Sequence, residues 1–551
     1  MAFKESLADR LRPVVADVVD DAAARDQYSR DTSIFEITPS AIVFPKNTEE
    51  LQKLIAFIYM ARSSGENLSF TARAAGTDMT GGPLSSSIVG VFTKYMNRLL
   101  ELGADFAVVE PGLYYRDFEK ATLAQGLLLP SYPASREIAA LGGIVNNNSG
   151  GERTLSYGKT ERYVEEVSVV LSDGSSAHFG PLTAALLEEK KQLNTFEGEV
   201  YRKMHTLIEN NYDEIQKARP AVTKNSAGYA LWNVYDKERD IFNLAKLVVG
   251  SQGTLAIMTD AKLHLVRPKA HRTMLIIFLN DLVHLPDIVH RVLAEKPESF
   301  ESYDDHTFSL ALRFLPEVAK GLGGKKFFSL GFSFLSEAWM LLSGGIPKLV
   351  LLAEFAEDTP SLAQERAKRA LKALAEFSVQ TRIAKDENES KKYWIVRRES
   401  FNLLRKNLRG LHAAPFIDDF VVHPDDLPKF FPELNTLLSN HKLTYTIAGH
   451  VGDANFHIIP LMNLADPRAR KTILELAPKV YELVARYKGS TTGEHNDGII
   501  RTPYLPLIFS PRIISLFEET KNIFDPLGVF NPGKKVRGTV ADIEAHMIHH
   551  S

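Results

Sequence analysis

Two short polar runs, one near residue 450 and one near residue 495, place three histidines and a glutamate within otherwise apolar sequence. The first run contains His450 and His457, and the second contains Glu494 and His495. Imidazole and carboxylate groups bind divalent metal ions, and a catalytic metal site commonly uses three protein ligands. A fourth group would then remain as a general base. The pattern predicts a metal-assisted catalytic centre.

The spacing of His450 and His457 predicts a hairpin. Residues seven apart on one straight strand would point to opposite faces, but Gly452–Asn455 has the residue types of a turn. If these four residues form the loop, His450 pairs directly with His457, and their Cβ atoms lie about 4.5–5.5 Å apart on one face. Glu494 then supplies a third ligand. The alternative is that these are hydrogen-bonded polar residues in a loop. Because four such residues occur together, a metal site is favoured over this alternative.

The sequence between residues 40 and 175 alternates short strands with helices. Residues 41–45 form a predicted strand, and a helix with Thr48 as N-cap is expected to run to about Ser63. A strand over 68–72 leads into a loop rich in small residues. Further strands are expected at 106–110 and 164–173, and two more between 246 and 266, whereas 181–246 is mainly helical.

Three loops are dense in glycine, serine, threonine and asparagine, at residues 73–82, 141–151 and 250–255. Loops without bulky side chains let successive backbone N–H groups converge on phosphate oxygens. One such loop alone is often only a tight turn, but three beside strands indicate a dinucleotide site. No Rossmann G-x-G-x-x-G motif or Walker A lysine loop is present, so neither NAD in that fold nor ATP is supported.

Length and composition set outer limits on function. A chain of 551 residues is expected to form two or three domains. Its net charge of −3 gives no reason to expect a nucleic-acid partner. The chain has no cysteine, which excludes disulfides, thiol catalysis and an iron–sulfur cluster held by this chain. The first residues lack the pattern of a signal peptide, and the apolar stretch 338–355 is too interrupted to span a membrane, so a cytoplasmic protein is expected, with peripheral membrane contact left open.

The order of these motifs resembles the FAD-linked oxidoreductases of the vanillyl-alcohol oxidase or p-cresol methylhydroxylase (PCMH) type. Within that family the chain is most similar to the D-lactate, glycolate and D-2-hydroxyglutarate dehydrogenase branch. The resemblance covers residues 35–537, and the matching runs follow in one order: 73–82, 109–112, 133–135, 142–151 with 157–158, 250–254, the His450 and Glu494 runs, and 531–534.

The resemblance implies FAD as cofactor. By similarity, the first loop holds the pyrophosphate, the second lines the flavin and ribityl chain, and Ile257 meets the cofactor through its backbone. Thr77 stands where covalently flavinylated members carry histidine, so the FAD is expected to be non-covalent. Ala74, Ala75 and Gln252 depart from the more usual residues. The implied cofactor-binding residues are Arg73, Ala75, Gly76, Thr77, Asp78, Thr80, Gly81, Pro133, Gly142, Gly143, Asn146, Asn147, Gly150, Tyr157, Gly253 and Ile257.

The resemblance also implies roles around the metal. His450, His457 and Glu494 match ligands of Zn²⁺ or Mn²⁺, His495 matches the catalytic base, and Asn455 a substrate or ligand-shell contact. Arg397 matches the arginine that holds the substrate carboxylate, for which a planar guanidinium is suited. The segment 418–422 matches a strand where some members carry a substrate-binding lysine, but no lysine occurs here. Similar enzymes commonly have glycine and an aliphatic residue in place of Asn496 and Asp497.

These observations predict an α+β fold with three parts. Residues 1–267 should form a PCMH-type FAD-binding domain of two α/β subdomains, and 268–485 a cap domain with an antiparallel sheet and flanking helices. Residues 486–551 should return to the flavin site. The predicted activity is oxidation of a D-2-hydroxy acid to the 2-oxo acid, with electrons passed to an external quinone, cytochrome, flavoprotein or iron–sulfur subunit. A homodimer is compatible with the sequence.

Two alternatives stay open at the level of sequence. One is a metal-free FAD enzyme of the same fold, such as an aldonolactone oxidase or an alkylglycerone-phosphate synthase. The other is a non-catalytic flavin-binding subunit of a larger complex. The histidines and glutamate argue against both, because neither kind of protein requires them.

Overall fold

The computed structural model describes residues 6–305, 307, 347–407, 410–441 and 443–549. Part of the interrupted apolar stretch, residues 338–346, lies outside the described residues. The strand expected at the end of that stretch is present as Leu349–Glu357. Within the described ranges, no helix combines the length and the apolar character needed to cross a bilayer.

The first sheet of the N-terminal half has four strands and carries the first glycine-rich loop at its end. Strands Ala41–Val43, Ile88–Val91 and Phe70–Arg73 are parallel, and Val18–Val19 pairs antiparallel at one edge. Helix Thr48–Ser63 covers this sheet with the apolar stripe expected from the sequence, which is fully buried: Leu51, Leu54, Ile55 and Ile58. The N-cap is Asn47 rather than the expected Thr48, because the Asn47 side chain accepts a hydrogen bond from the backbone N–H of Glu50 at 2.9 Å.

The second sheet of this half is antiparallel and has five strands. In spatial order these are Leu99–Leu102, Phe106–Val109, Ile257–His264, Val164–Val170 and Ser176–Phe179. Only one of the two strands expected between residues 246 and 266 is present, Ile257–His264. Residues Ala245–Val248 form a short helix, because the Asn243 side chain accepts the Ala245 N–H and starts a helical turn there.

The remaining elements of the N-terminal half surround these two sheets. Three short strands form a small separate sheet: Leu182–Thr183, Tyr235–Asp236 and Ile241–Phe242. The other helices are Leu7–Leu11, Ala22–Gln27, Tyr115–Leu123, Leu141–Asn147, Thr154–Tyr157, Ala184–Lys191, Phe196–Asn210 and Tyr212–Lys217.

Among the described residues, the cap half is built on one antiparallel sheet of eight strands. Seven run in the spatial order Gln380–Ile383, His271–Leu279, Leu349–Glu357, Ser299–Asp304, Thr444–His450, Asn455–Met462 and His412–Ala413, and Phe420–Val421 also pairs with Asn455–Met462. The helices that the structure describes in this half are Leu285–Ala294, Pro360–Ala373, Glu387–Asn407, Leu427–Ser439 and Pro467–Arg486.

Both faces of the cap sheet are covered, as alternation along strand His271–Leu279 shows. Leu275 and Ile277 belong to the core beneath the helices Leu285–Ala294 and Pro360–Ala373. Met274 and Ile276, which point the other way, pack in a second cluster with Tyr393 and Trp394 of helix Glu387–Asn407. That helix therefore lies on the opposite face and carries Arg397 there.

The segment after residue 486 contacts the N-terminal half. It contains helices Gly498–Arg501, Leu505–Ile508, Pro511–Phe524 and Val540–His546. The Asn531 side-chain amide donates to the carbonyls of Gly82 at 3.0 Å and Gln252 at 2.8 Å, and its oxygen accepts from the Thr71 hydroxyl. Asn531 thus joins the first and third glycine-rich loops. The boundaries at 267 and 485 stay predictions.

Candidate active site

A cavity of about 770 Å³ lies between the glycine-rich loops and the cap sheet. This volume is within the usual range for a small-molecule or cofactor site. The loops and the histidine cluster line one continuous space. Of the residues expected to bind the cofactor, the following line it: Ala75, Gly76, Thr77, Asp78, Pro133, Gly142, Gly143, Asn146, Asn147, Gly150, Gly253 and Ile257.

Four residues expected to bind the cofactor do not line the cavity: Arg73, Thr80, Gly81 and Tyr157. The Arg73 guanidinium turns away and donates to the Arg30 carbonyl at 2.7 Å. The Thr80 hydroxyl donates to Asp78 at 2.6 Å, and the backbone N–H of Gly81 to Asp31 at 3.0 Å. The Tyr157 hydroxyl donates to Glu298 at 3.2 Å. These hydrogen bonds stabilise the loops on the side that faces away from the cavity.

At Gly143 the cavity wall suits a dinucleotide because backbone rather than a side chain forms it. A Cβ atom placed on Gly143 would meet only the Ala74 Cβ, at 3.6 Å, so the cavity begins directly at the peptide. One carboxylate orders the first loop: Asp78 accepts from the N–H groups of Thr80 and Gly82 at 2.9 and 2.8 Å. Asn147 donates to the same carboxylate at 2.9 Å and ties in the second glycine-rich run, whose residues Leu141–Asn147 form a helix rather than the expected loop. The residues present fit FAD.

The hairpin that carries two of the histidines is present, but its expected register was wrong. His450 pairs with Asn455, and His457 pairs with Ala448. The loop begins one residue earlier than expected, because Val451–Asp453 form a single 3₁₀ turn and Ala454 adopts a left-handed conformation with φ of 48°. His457 is two residues beyond Asn455, so both histidines still share one face as diagonal neighbours. Their ring centroids are 5.3 Å apart.

One carboxylate oxygen, Oε1 of Glu494, lies at the centre of the three imidazoles. The Nε2 atoms of His450, His457 and His495 are 3.1, 3.5 and 4.0 Å from it. The structure therefore brings together the three expected metal ligands and the expected base, from the two ends of a hairpin and from a separate loop. Nitrogen and carboxylate donors of this kind suit Zn²⁺ or another divalent ion.

Buried carboxylates orient all three imidazoles so that Nε2 faces the centre. His450 Nδ1 is 2.6 Å from Glu301, and His457 Nδ1 is 2.9 Å from Asp418. His495 Nδ1 is 2.7 Å from the other oxygen of Asp418. Metal-binding histidines usually donate their second ring N–H to such a carboxylate, which fixes the tautomer and strengthens the ligand. Neither acidic residue had an assigned role at the level of sequence.

The charges in this cluster favour a cation. Burial alone would lower the pKa of His457, but Asp418 and Glu494 outweigh it and raise that pKa to about 10. Burial would likewise raise the pKa of Glu494, yet Lys224 and His450 hold it well below its usual range. The pKa of His495 is also raised, because Asp419 and Asp418 outweigh its burial. Positive charge, as protons or as a divalent ion, is what these carboxylates stabilise.

Lys224 is a functional-site residue that the sequence did not reveal. It is fully buried, and its ammonium lies 3.2 Å from Glu494 Oε2 and 3.4 Å from Asp453. It therefore occupies the one oxygen of Glu494 that faces away from the histidines and leaves Oε1 toward them. A single lysine in polar sequence carries no signal that would distinguish it from a surface residue.

Asp419 also lies within reach of a shared ion, since its carboxylate is grouped with His457, Glu494 and His495 within 4.8 Å. Its oxygens are already used, however. They accept from the backbone N–H groups of Glu494 and His495 at 3.0 and 2.8 Å and from the Asn455 amide at 3.0 Å. We therefore regard Asp419 as the residue that shapes the Glu494 loop, with His450 as the better ligand.

Arg397 lines the cavity, and its guanidinium lies 3.2 Å from Glu301. Its Nε has no hydrogen-bond partner among the described residues. Asn455 does not line the cavity; its amide holds Asp419, so its role is in the shell behind the ligands. Asn496 and Asp497 are also buried away from the cavity, and Asn496 adopts φ of 72°, a left-handed conformation that explains glycine in similar enzymes.

Comparison with known families decides the assignment. A family model described as an FAD binding domain matches residues 39–180, and one described as FAD linked oxidases, C-terminal domain, matches residues 268–535. The chain belongs to the FAD-linked oxidase family. Membership confirms the sequence resemblance and supports FAD as the cofactor of the cavity.

Relatives of this FAD-linked oxidase in sequence include dehydrogenases of hydroxy acids. D-2-hydroxyglutarate dehydrogenase of Escherichia coli is 27% identical over 532 residues, covering 93% of this chain and 49% of that protein. Glycolate oxidase subunit GlcD of Bacillus subtilis is 26% identical, covering 94% and 93%. D-lactate dehydrogenase of Archaeoglobus fulgidus is 26% identical, covering 93% and 96%. The chain thus spans about half the length of the first of these and nearly all of the other two.

Solved structures confirm the expected fold class. 4-Ethylphenol oxidase from Gulosibacter chungangensis superimposes with a TM-score of 0.68 at 16% identity, covering 96% of both chains. p-Cresol methylhydroxylase superimposes with a TM-score of 0.66 at 13% identity, again covering 96% of both. At these identities the likeness concerns the PCMH-type fold alone.

Proposed function

We propose that this FAD-linked oxidase oxidises a D-2-hydroxy acid to the corresponding 2-oxo acid with the help of a divalent metal ion. The observation that supports this most is the convergence of Arg397 and the His450–His457–Glu494–His495 cluster on the cavity that the glycine-rich loops line. Oxidation of such a substrate requires a cation that binds its carboxylate, a set of metal ligands and a base. The names of the relatives supply the substrate class and its configuration.

Each polar residue has a distinct role in this proposal. Arg397 binds the substrate carboxylate through its guanidinium fork. His450, His457 and Glu494 would hold the ion, Zn²⁺ or Mn²⁺, and a bound divalent ion lowers the pKa of a hydroxyl group. His495 accepts the substrate hydroxyl proton at Nε2, while Asp418 holds its Nδ1 and stabilises the imidazolium that forms.

FAD supplies the hydride acceptor when bound, and the protein supplies orientation and charge. The glycine-rich loops would hold the cofactor, and residues of the cap sheet line the same cavity from the other side. Reoxidation then requires an external electron acceptor, because the chain has no cysteine with which to hold an iron–sulfur cluster of its own. We propose a quinone, a cytochrome, a flavoprotein or an iron–sulfur subunit in that role.

The test is reduction of an artificial dye by the purified yellow protein with a panel of D- and L-2-hydroxy acids, with and without a chelator. We expect activity with D acids that is lost on chelation and restored by Zn²⁺ or Mn²⁺. Activity that persists in metal-free protein would instead support a metal-free enzyme of this fold. Protein that binds FAD but is reduced by no hydroxy acid would contradict the proposal.

A further inference from the structure

The face of the cap sheet beside the histidines extends beyond them as a second part of the cavity wall. Along strand Thr444–His450, the residues Thr446, Ala448 and His450 line the cavity, whereas Tyr445 and Ile447 pack into the core on the other side. This is the alternation expected of a strand with one face toward a ligand. The cavity wall therefore continues away from His450, with every second residue of the strand facing the cavity.

The neighbouring strand continues the same wall. His457 and Ile459 line the cavity and pair with Ala448 and Thr446. The Thr446–Ile459 pair lies about 7 Å beyond the Ala448–His457 pair at the usual rise per residue. A substrate side chain that leaves the metal cluster in this direction meets Ala448, then Thr446 and Ile459, with Ala413 at the edge.

This far part of the wall offers hydroxyl groups. Thr307 lines the cavity, is 1% exposed, and its hydroxyl has no hydrogen-bond partner among the described residues. Its position is fixed because Asp304 accepts from the backbone N–H of Thr307 at 2.8 Å and from that of Ile447 at 3.1 Å. Thr307 thus lies beside the strand that carries Thr446. A buried hydroxyl without a partner costs free energy that a ligand would recover.

The positive charge of the site is at the opposite end. Arg397 contacts Glu301, which in turn contacts His450, so this guanidinium lies at the histidine end of the wall. Among the lining residues that the structure describes, the only other arginine or lysine is Arg136, on the loop 133–140 and paired with Glu119 at 3.5 Å.

We propose that the substrate is a 2-hydroxy monocarboxylic acid with an uncharged side chain that carries a hydrogen-bonding group at its far end. Arg397 binds the single carboxylate, and the side chain extends along Ala448 toward the hydroxyls of Thr307 and Thr446. A second carboxylate in that position would be buried with no arginine or lysine among the described lining residues of that part of the wall, which is strongly unfavourable. The inference rests on the function proposed above and narrows it.

The first test compares two substrates of equal length that differ in one charge, D-2-hydroxyglutarate and its 5-carboxamide, with D-lactate as a short reference. For the wild-type FAD-loaded protein we expect kcat/KM to be about tenfold or more higher for the amide than for the dicarboxylate. A dicarboxylate that is equal or better would overturn the inference while leaving the proposed function intact. Failure of all three acids to reduce the flavin would overturn both.

The second test introduces a cation into the neutral wall. Ile459→Arg places a guanidinium opposite Thr446, and Ile459→Met is the matched uncharged control. We expect the arginine variant to shift the kcat/KM ratio about tenfold or more toward the dicarboxylate, with the methionine variant keeping the wild-type preference. Unchanged preference in an arginine variant with normal flavin absorbance would show that the side chain does not lie here. If that variant does not fold, the comparison of substrates with wild-type protein still decides.

Discussion

The imidazole rings of His457 and His495 lie stacked, with centroids 5.0 Å apart and planes inclined by 27°. One belongs to the expected metal-ligand set and the other is the expected base. They reach the site from distant parts of the chain and are held parallel because both contact Asp418, one at each carboxylate oxygen. The orientations of the expected ligand and of the expected base thus depend on a single buried carboxylate, that of Asp418.

Replacing Asp418 by asparagine should weaken metal binding and catalysis together. An amide can accept from one imidazole only, so the other ring loses its fixed tautomer, and changes in such supporting groups typically cost 10–100-fold in metal affinity. The measurement is metal content after dialysis against buffered Zn²⁺, alongside dye-reduction rates. A variant with wild-type metal affinity would show that Asp418 does not orient a ligand.

Replacing His495 by glutamine should separate the base from the metal. We expect kcat to fall about 10²–10⁴-fold, because proton transfer from the substrate loses its acceptor. FAD and metal content should stay near wild type, since His495 is not one of the three expected ligands. Loss of the metal in this variant, measured by elemental analysis, would instead make His495 a ligand and free one of the other histidines as base.

Gly143 provides a test of the cofactor cavity. The leucine variant should lose FAD, because its side chain would project from the wall into the cavity, whereas the alanine variant should retain FAD, because the added Cβ meets only Ala74 at 3.6 Å. Flavin absorbance of the purified proteins gives the occupancy, and circular dichroism checks the fold. Full occupancy in the leucine variant would mean that the cofactor does not pass this wall.

The buried pair of Asp497 and Lys535 should matter for stability. Their side chains are fully buried and 2.7 Å apart, and Lys535 also contacts Asn496. Asp497→Leu would leave a buried ammonium without its anion, at a cost of about 3–5 kcal/mol in the free energy of unfolding. Glu49→Gln, in the exposed pair with Lys53, is the control and should cost far less, because water screens an exposed ion pair. Urea denaturation of both variants gives the comparison, and equal losses would contradict it.

The sequence predicts a feature well when the residues that determine it are close together along the chain. The stripe Leu51–Ile58 is set by residues close to one another along one helix, and it appears as patterning requires. The hairpin register was missed because it depends on whether Ala454, rather than a residue with obvious turn chemistry, takes the left-handed position.

The supporting residues of the site were missed for a different reason. Lys224 and Glu301 acquire their roles only through partners far along the chain, Glu494 and His450. Asp418 lies in an apolar run, where two adjacent carboxylates are themselves unusual, and that feature could have marked it. Tertiary structure decides which charged side chains are buried against each other. Sequence patterning therefore identifies the ligands but not the groups that orient them.

Asn531 closes the first and third cofactor loops against each other through three side-chain hydrogen bonds. Those loops are separated from it by hundreds of residues, and a ribosome adds only about 5–20 residues per second. During synthesis, the earlier domain is therefore exposed for many seconds without this tie. The two loops can therefore be joined as they are in this structure only after residue 531 has been synthesised.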